Sequence, residues 1–177
     1  MKVYLLCGLA FSGKTTLARA IVENTGARLV SLDEINARRG LHGGLGIPVD
    51  EWARTHHVAL ELVRDSLEAG QSVVVDDTNC FRFLRDNYRR VAGRFGVSTL
   101  VVHADVPVDL VRARRLENAC SLSRAPVTEP VLIDLIEKFE PPASDEETLV
   151  FRQDCDPTTW VAAQFPGSSN TIGQLQE

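Results

Sequence analysis

The stretch Gly8-Leu9-Ala10-Phe11-Ser12-Gly13-Lys14-Thr15 has the residue types and spacing best suited to chemistry in this chain. It matches the pattern G-x-x-x-x-G-K-[ST], and it stands between an apolar run and a helical pattern, which is the context that this pattern requires. Glycine at 8 and 13 permits backbone dihedral angles closed to other residues, so consecutive N–H groups can turn toward phosphate oxygens at a positive helix start. The stretch predicts a phosphate-binding loop.

The side chains that follow the loop predict which phosphates are bound. Lys14 is expected to reach the β and γ phosphates of ATP, and the Thr15 hydroxyl is expected to ligate Mg²⁺. Thr16 completes the predicted nucleotide-binding segment, which covers residues 8–16. ATP and Mg²⁺ are therefore the predicted cofactors.

Asp33 follows the second apolar run, in Ser31-Leu32-Asp33-Glu34. In a parallel sheet the ligand crevice lies outside the carboxyl ends of the strands, where this carboxylate would face the γ phosphate. A carboxylate there can accept the proton of an attacking hydroxyl during phosphoryl transfer. The alternative is that Asp33 caps a helix, since Asp before Glu-Ile-Asn is good capping chemistry. The sequence leaves both interpretations open.

The third apolar run ends in Asp76-Asp77-Thr78-Asn79. An acidic residue at this place can bind Mg²⁺ through water. Adjacent residues of a strand point to opposite faces, so at most one aspartate, Asp77 or Asp76, is expected to face the metal. The alternative is a turn and cap before the helical pattern that begins near residue 81.

Several arginines accompany an irregular stretch at 117–130, which predicts a lid over the phosphates. A movable arginine can neutralise charge that builds during phosphoryl transfer, and closure excludes water. Arg112 and Arg115 share a helix face and are the better candidates, with Arg115 as a catalytic group and Arg112 also binding nucleotide, whereas Arg114 is expected to be a solvated charge. Arg124 is the third predicted lid arginine.

Apolar runs alternate with helical patterns along most of the chain. The runs lie at 3–7, 28–32, 72–75, 98–103 and 149–152, and the helical patterns lie near 14–24, 51–69, 81–95, 107–119 and 128–139. This alternation predicts an α/β fold with a parallel sheet covered by helices on both faces. We expect one domain over 1–152, with a lid at about 116–130, and a partly packed C-terminal tail over 153–177.

Composition narrows the class of protein. The 177 residues are 44% hydrophobic and 24% charged, which is ordinary for a globular domain. The formal net charge of −5 disfavours a general nucleic-acid-binding protein.

A zinc site is not predicted. The four cysteines are single and have no C-x-x-C spacing, and the adjacent His56 and His57 lie on different helix faces. With no apolar run of membrane-spanning length and no targeting segment, we expect a cytoplasmic protein.

Five parts of the chain carry a resemblance to a known family: the phosphate-binding loop, Leu32-Asp33-Glu34, the strand end 75–79 followed by Arg85, the segment Asp105-Val106-Pro107 with Arg112 to Arg115, and the segment 131–142. Together they resemble P-loop kinases of the AAA-type ATPase group that are polynucleotide-kinase-like and zeta-toxin-like. The resemblance covers about residues 1–152. It implies a three-layer P-loop NTPase fold with a five-stranded sheet of order 2-3-1-4-5. It also implies Asp33 as the base, Asp77 near the metal or acceptor, and Arg112, Arg115 and Arg124 in the lid.

One departure from this group concerns the acceptor. Polynucleotide 5′-kinases of the group commonly carry an arginine three residues after the base, where this chain has Asn36. We therefore predict a kinase that transfers the γ-phosphoryl group of ATP to a hydroxyl of a small acceptor such as a sugar, a nucleoside or an antibiotic. The predicted substrate-binding residues are Asp33, Arg38, His42, Asp77, Asn79 and Arg85. The alternatives are a 5′-hydroxyl kinase acting on RNA, DNA or tRNA, and an ATP-binding switch protein that is not a kinase.

Overall fold

The protein is described by a computed structural model that covers residues 1–41, 46–121 and 126–166. Its strands are β1 (Val3–Cys7), β2 (Arg28–Ser31), β3 (Val73–Asp76), β4 (Thr99–Ala104) and β5 (Thr148–Phe151). Its helices are α1 (Lys14–Thr25), α2 (Leu32–Arg38), α3 (Val49–Glu68), α4 (Arg82–Gly93), α5 (Val108–Ser121), α6 (Glu129–Lys138) and α7 (Pro157–Gln164). Among the described helices, none is long and apolar enough to cross a membrane.

The five strands form one parallel sheet in the order β2-β3-β1-β4-β5, which confirms the predicted fold class. In the register, Ser31 of β2 lies opposite Asp76 of β3, and Leu5 of β1 lies opposite Val75 of β3. The carboxyl ends of these three strands therefore meet at one edge. That edge carries the P-loop after β1, α2 after β2, and Asp76-Asp77 at the end of β3.

Successive side chains of the central strands enter two different cores, because a strand presents alternate residues to opposite faces. Leu6 and Val74 pack on the face covered by α1 and α7. Leu5 and Val75 pack on the face covered by α2, α3 and α4. This alternation continues past the end of β3 and decides where Asp76 and Asp77 point.

Two helices were not predicted from the sequence. Helix α2 begins at Leu32, directly after the N-cap residue Ser31, whose side chain accepts a hydrogen bond from the Glu34 amide. Helix α7 lies inside the predicted C-terminal tail, and Val161 and Phe165 pack against the α1 side of the sheet. The predicted irregular stretch 117–130 is also shorter than expected, because α5 continues to Ser121 and α6 starts at Glu129.

Candidate functional site

The P-loop between β1 and α1 has backbone angles that are available mainly to glycine. Gly8 has φ +147°, and a Cβ at this position would lie 2.8 Å from the carbonyl oxygen of Ala104. Gly13 has φ +90° and precedes the first turn of α1, and Phe11 has φ +63°. Left-handed and right-handed residues in alternation turn successive N–H groups toward one point, which is the geometry of an anion-binding nest.

Apolar side chains fix the outer side of this loop. Phe11 is buried with Val106, Val111 of α5 and Leu132 of α6, and Leu9 and Ala10 pack against the same cluster. Burial of the Phe11 ring offsets the cost of its left-handed backbone. The middle residues of the P-loop therefore anchor it to the two helices that flank the predicted lid, a role that spacing alone did not indicate.

Lys14 lies over the P-loop. Its Nζ donates a hydrogen bond of 2.6 Å to the carbonyl oxygen of Leu9 and lies 3.5 Å from Oγ of Ser12. The side chain is buried, so its charge acts on its neighbours with little screening by water. This arrangement is suited to phosphate oxygens bound at the loop.

Asp76, not Asp77, is the aspartate that faces the P-loop. It lies on the same face of β3 as Val74, and its carboxylate accepts a hydrogen bond from the Thr15 hydroxyl. Burial raises the pKa of Asp76, and Thr15 and Lys14 act in the opposite direction. A buried carboxylate beside a hydroxyl is a donor set that suits Mg²⁺, because a divalent cation would stabilise the ionised form.

Asp33 lies in the first turn of α2, at the same edge of the sheet. The capping alternative for Asp33 is wrong, because Ser31 caps this helix. The Asp33 carboxylate is exposed, and its charge acts on Asp76, which places the two side chains near each other. An exposed carboxylate at this edge is available to a hydroxyl group that approaches the P-loop.

Arg114, rather than Arg112 or Arg115, contacts the P-loop. Its guanidinium donates to the carbonyl oxygen of Phe11 at 3.2 Å and to Oε1 of Gln153 at 2.7 Å. Gln153, in turn, donates through Nε2 to the carbonyl oxygen of Ser12 at 3.0 Å. The expectation that Arg114 is a solvated charge is wrong, because α5 turns this face toward the loop.

Arg112 and Arg115 share a helix face, as predicted, and both pair with Glu129 of α6. The ion pair of Arg115 measures 2.5 Å and that of Arg112 measures 3.7 Å. Glu129 thus holds both guanidinium groups, and their predicted role in a lid remains an expectation. Arg124 lies outside the described residues.

Two predicted substrate-binding residues are buried in the scaffold and need correction. The Arg85 guanidinium is fully buried and pairs with Glu146, with a further bond of 2.8 Å to the carbonyl oxygen of Asn79. The Asn79 side chain donates through Nδ2 to the carbonyl oxygen of Leu6 at 2.7 Å. Both side chains are fully buried, so neither can reach a ligand in solvent.

The remaining predicted substrate-binding residues lie on or beside α2 and β3. Arg38 is exposed and forms a 3.4 Å ion pair with Glu34. His42 lies outside the described residues. Asp77 points to the α3 and α4 side of the sheet, where its Oδ2 lies 4.0 Å from Nε2 of His56. Sequence reasoning missed His56, since only the packing of α3 on the sheet brings it to the end of β3.

A cleft of about 440 Å³ opens beside the P-loop. Its volume falls within the range typical of small-molecule sites, about 300–1,000 Å³. The cleft continues from the start of α1 toward the segment after β5, so a nucleotide with its phosphates on the loop would extend into it. The lining residues are Phe11, Gly13, Thr16, Arg114, Phe151, Gln153, Cys155 and Pro157.

The parallel sheet and the glycine-bearing loop between β1 and α1 define the P-loop class of α/β folds. A family profile described as AAA domain matches residues 3–142, which is most of the chain. The chain therefore belongs to the AAA domain family. A comparison with curated proteins finds no match.

Solved structures with the same fold include three informative ones. A sugar kinase from a Janibacter species has a TM-score of 0.69 at 19% identity, with 94% of both chains covered. The APS kinase of Mycobacterium tuberculosis, in complex with AMPPNP and APS, has a TM-score of 0.66 at 15% identity, with 93% of this chain and 95% of that chain covered. Chaetomium thermophilum Kti12, in complex with ADP-AlF3, has a TM-score of 0.69 at 22% identity, with 92% and 96% covered.

Proposed function

We propose that this protein is an ATP-dependent kinase that transfers the γ-phosphoryl group to a hydroxyl of a small molecule. The observation that carries the proposal is the exposed Asp33 carboxylate at the carboxyl edge of the sheet, where its charge acts on Asp76, the residue that bonds to Thr15. Two of the similar structures are kinases by their names, one for a sugar and one for APS, and this likeness supports the proposal.

The residues of the P-loop would hold the donor. The N–H groups of residues 8–15 and the Lys14 ammonium would bind the β and γ phosphates, and Thr15 with Asp76 would hold Mg²⁺. ATP with Mg²⁺, when bound, supplies the phosphoryl group and a cation that withdraws charge from it. The cleft beside Arg114 and Gln153 would take the nucleoside.

Asp33 would act on the acceptor. Its carboxylate would accept the proton of the acceptor hydroxyl while the new O–P bond forms and the bond from the γ phosphorus to the bridging oxygen breaks, so that ADP leaves. The predicted lid arginines, Arg112, Arg115 and Arg124, would neutralise charge on the γ phosphate. Arg112 and Arg115 would first have to leave their ion pairs with Glu129. Arg38 and Asp77 would lie on the acceptor side.

The test is a coupled ADP-release assay over neutral sugars, sugar acids, nucleosides, aminoglycosides and oligonucleotides with a free 5′-hydroxyl. With the best acceptor, Asp33→Asn is expected to lower kcat by about 100-fold or more, because it removes the base, while ATP binding is retained. The neighbouring Glu34→Gln is the matched control, since Glu34 is also exposed but pairs with Arg38.

Several outcomes would contradict the proposal. Full phosphoryl transfer by Asp33→Asn would remove Asp33 from the reaction. ATP binding without phosphorylation of any compound would favour the switch protein. Labelling of the oligonucleotide at physiological salt would make a nucleic acid the acceptor.

A further inference from the structure

Asp77, His56 and Tyr88 lie together on the α3 and α4 side of the sheet, away from the Asp76 face. Asp77 follows β3, His56 belongs to α3 and Tyr88 belongs to α4. The His56 and Asp77 side chains are both mostly buried, at 17% and 14% exposed, so each retains a small open face. The charge of Asp77 acts on Tyr88, which places the phenol near this carboxylate.

The distance between the two polar groups is informative. Nε2 of His56 and Oδ2 of Asp77 are 4.0 Å apart, which is too long for a hydrogen bond. A single hydroxyl oxygen placed beside the pair can lie within about 2.8 Å of both atoms, donating to the carboxylate and accepting from the imidazole. The gap therefore has the size and the chemistry of a hydroxyl-binding site.

Tyr88 provides a second and independent sign of an incomplete polar site. Its hydroxyl is buried and has no hydrogen-bond partner among the described residues. Burial raises the pKa of Tyr88, and the negative charge of Asp77 raises it further, so the phenol keeps its proton. Buried hydroxyl groups almost always have a partner, and a bound polar ligand would supply one.

Two arginines at the C-terminal end of α2, Arg38 and Arg39, already form ion pairs with glutamates. Arg39 pairs with Glu51 and donates to Thr55, and Arg38 pairs with Glu34. Asn36 is buried and accepts a hydrogen bond from Thr55. The basic side chains at this end of α2 are thus paired with Glu34 and Glu51.

Three carboxylates lie at the same edge, of which Asp33 is exposed, Asp77 is mostly buried and Asp76 is buried. The charges of Asp33 and Asp77 both act on Asp76, so the three groups share one electrostatic environment. Bound Mg²⁺ would compensate the negative charge of the Asp76 carboxylate, which bonds to Thr15. An acceptor with its own negative charge would then meet Asp33 and Asp77 at close range, and like charges in contact are strongly unfavourable.

We infer that the acceptor is a polyhydroxy compound without negative charge, and that one of its unreactive hydroxyl groups binds between His56 and Asp77. This inference rests on the proposed function and narrows its acceptor. It makes His56 a specificity-determining residue that positions the acceptor so that a second hydroxyl reaches Asp33. Neutral sugars and amine-bearing sugars satisfy the same chemistry, whereas sugar acids and oligonucleotides do not.

The first experiment compares neutral acceptors with matched acids. Glucose is paired with glucuronate and glucitol with gluconate, since in each pair a carboxylate replaces one CH₂OH group. Glucosamine is added as an amine-bearing sugar, with the aminoglycosides, nucleosides and oligonucleotides of the larger panel. The best acceptor is expected to be neutral or amine-bearing, with kcat/KM at least about tenfold above any acidic counterpart. A sugar acid or an oligonucleotide as the best acceptor would overturn the inference and leave the kinase intact. Failure to phosphorylate any compound would overturn the proposed function itself.

The second experiment uses adjacent histidines. His56→Ala is expected to raise KM for the best acceptor by about tenfold, because a hydrogen bond to a partly buried group is lost, while KM for ATP stays unchanged. His57→Ala is the matched control, since the His57 side chain is 73% exposed and faces Glu61. Equal acceptor KM values for the two variants would remove His56 from the site.

Asp77→Asn separates charge from shape. The amide keeps the size of the side chain but removes the charge, so the variant is expected to bind the neutral acceptor more weakly and to discriminate less against sugar acids. A structural role alone would lower stability without changing the preference between neutral and acidic acceptors. Unchanged discrimination in a folded Asp77→Asn variant would count against the inference.

Discussion

At the scale of single residues, the function of a side chain depends on its hydrogen-bond partners more than on its type. The Arg114 side chain donates a hydrogen bond to the carbonyl oxygen of Phe11, and the Gln153 side chain donates one to the carbonyl oxygen of Ser12. When these carbonyl groups are bonded on the outer side, the N–H groups of the P-loop are held toward the phosphates. Arg114 and Gln153 are thus positioning residues for the P-loop.

We expect Arg114→Ala to weaken ATP binding by about 1 kcal/mol, close to a fivefold rise in Kd, because the loop loses its outer hydrogen bonds. Calorimetric titration with a non-hydrolysable ATP analogue measures this change. Arg94→Ala is the control, since Arg94 is an exposed arginine at the end of α4, far along the chain from the loop. Identical affinities for the two variants would show that Arg114 does not position the P-loop.

At the scale of elements, one buried ion pair joins α4 to the segment before β5. Arg85 bonds to both oxygens of Glu146, at 2.8 and 2.9 Å, and to the carbonyl oxygens of Asn79 and Glu140. Burial opposes the charged form of Glu146, but the bonds from Arg85 and from the Ala143 amide outweigh it and lower the pKa of Glu146. Through the bond from Arg85 to Asn79, the pair holds the turn after β3. The same turn contacts the P-loop, since the Gly8 amide donates a hydrogen bond to the carbonyl oxygen of Thr78.

Glu146→Gln is expected to destabilise the fold by about 3–5 kcal/mol, because the Arg85 charge stays buried without its counter-ion. Urea unfolding followed by circular dichroism measures this loss. Asp145→Asn is the matched control, because the neighbouring Asp145 pairs with Arg82 at the exposed surface and should change stability little.

The same pair predicts a pH dependence. A carboxylate with a lowered pKa stabilises the fold above its unfolded pKa, and this stability is lost as the pH falls through the folded pKa. The stability difference between the wild type and Glu146→Gln should therefore be constant near neutral pH and should shrink below the ordinary glutamate value of 4.5. A difference that persists unchanged in acid would show that the charge of Glu146 is not the source.

At the scale of the whole molecule, the cleft beside the P-loop is assembled from distant parts of the chain. The P-loop supplies one wall, α5 supplies Arg114, and the segment after β5 supplies Gln153 and Cys155. Helix α7 holds that segment in place by packing on α1 through Val161 and Trp160. The C-terminal region that composition presented as a tail thus forms part of the cleft.

Cysteine labelling tests this assembly. Cys120 and Cys155 are exposed, whereas Cys7 is buried and burial raises its pKa to about 12, so it stays an unreactive thiol. ATP with Mg²⁺ at about ten times its Kd should slow alkylation of Cys155 about tenfold, because bound protein is protected in proportion to occupancy. Cys120 in the same molecule is the control. Equal protection of both thiols, or of neither, would contradict the location of the cleft.

The sequence by itself determined the P-loop and the alternation that gives a parallel sheet. These follow from local rules, because glycine spacing and apolar periodicity act within a few residues of the chain. The strand order is not a local property, and only the resemblance to P-loop kinases implied it. It also determined that Asp76 and Asp77 point to opposite faces, since alternation is a property of any strand.

Only the tertiary structure decided which face meets which helix. Packing of α1 on the sheet brings Thr15 to Asp76. Packing of α3 and α4 brings His56 and Tyr88 to Asp77. The orientation of α5 directs Arg114 toward the P-loop. The same packing buried Arg85 and Asn79, which the sequence placed among substrate-binding residues. Such contacts join residues tens of positions apart, and the local sequence contains no signal for the partner.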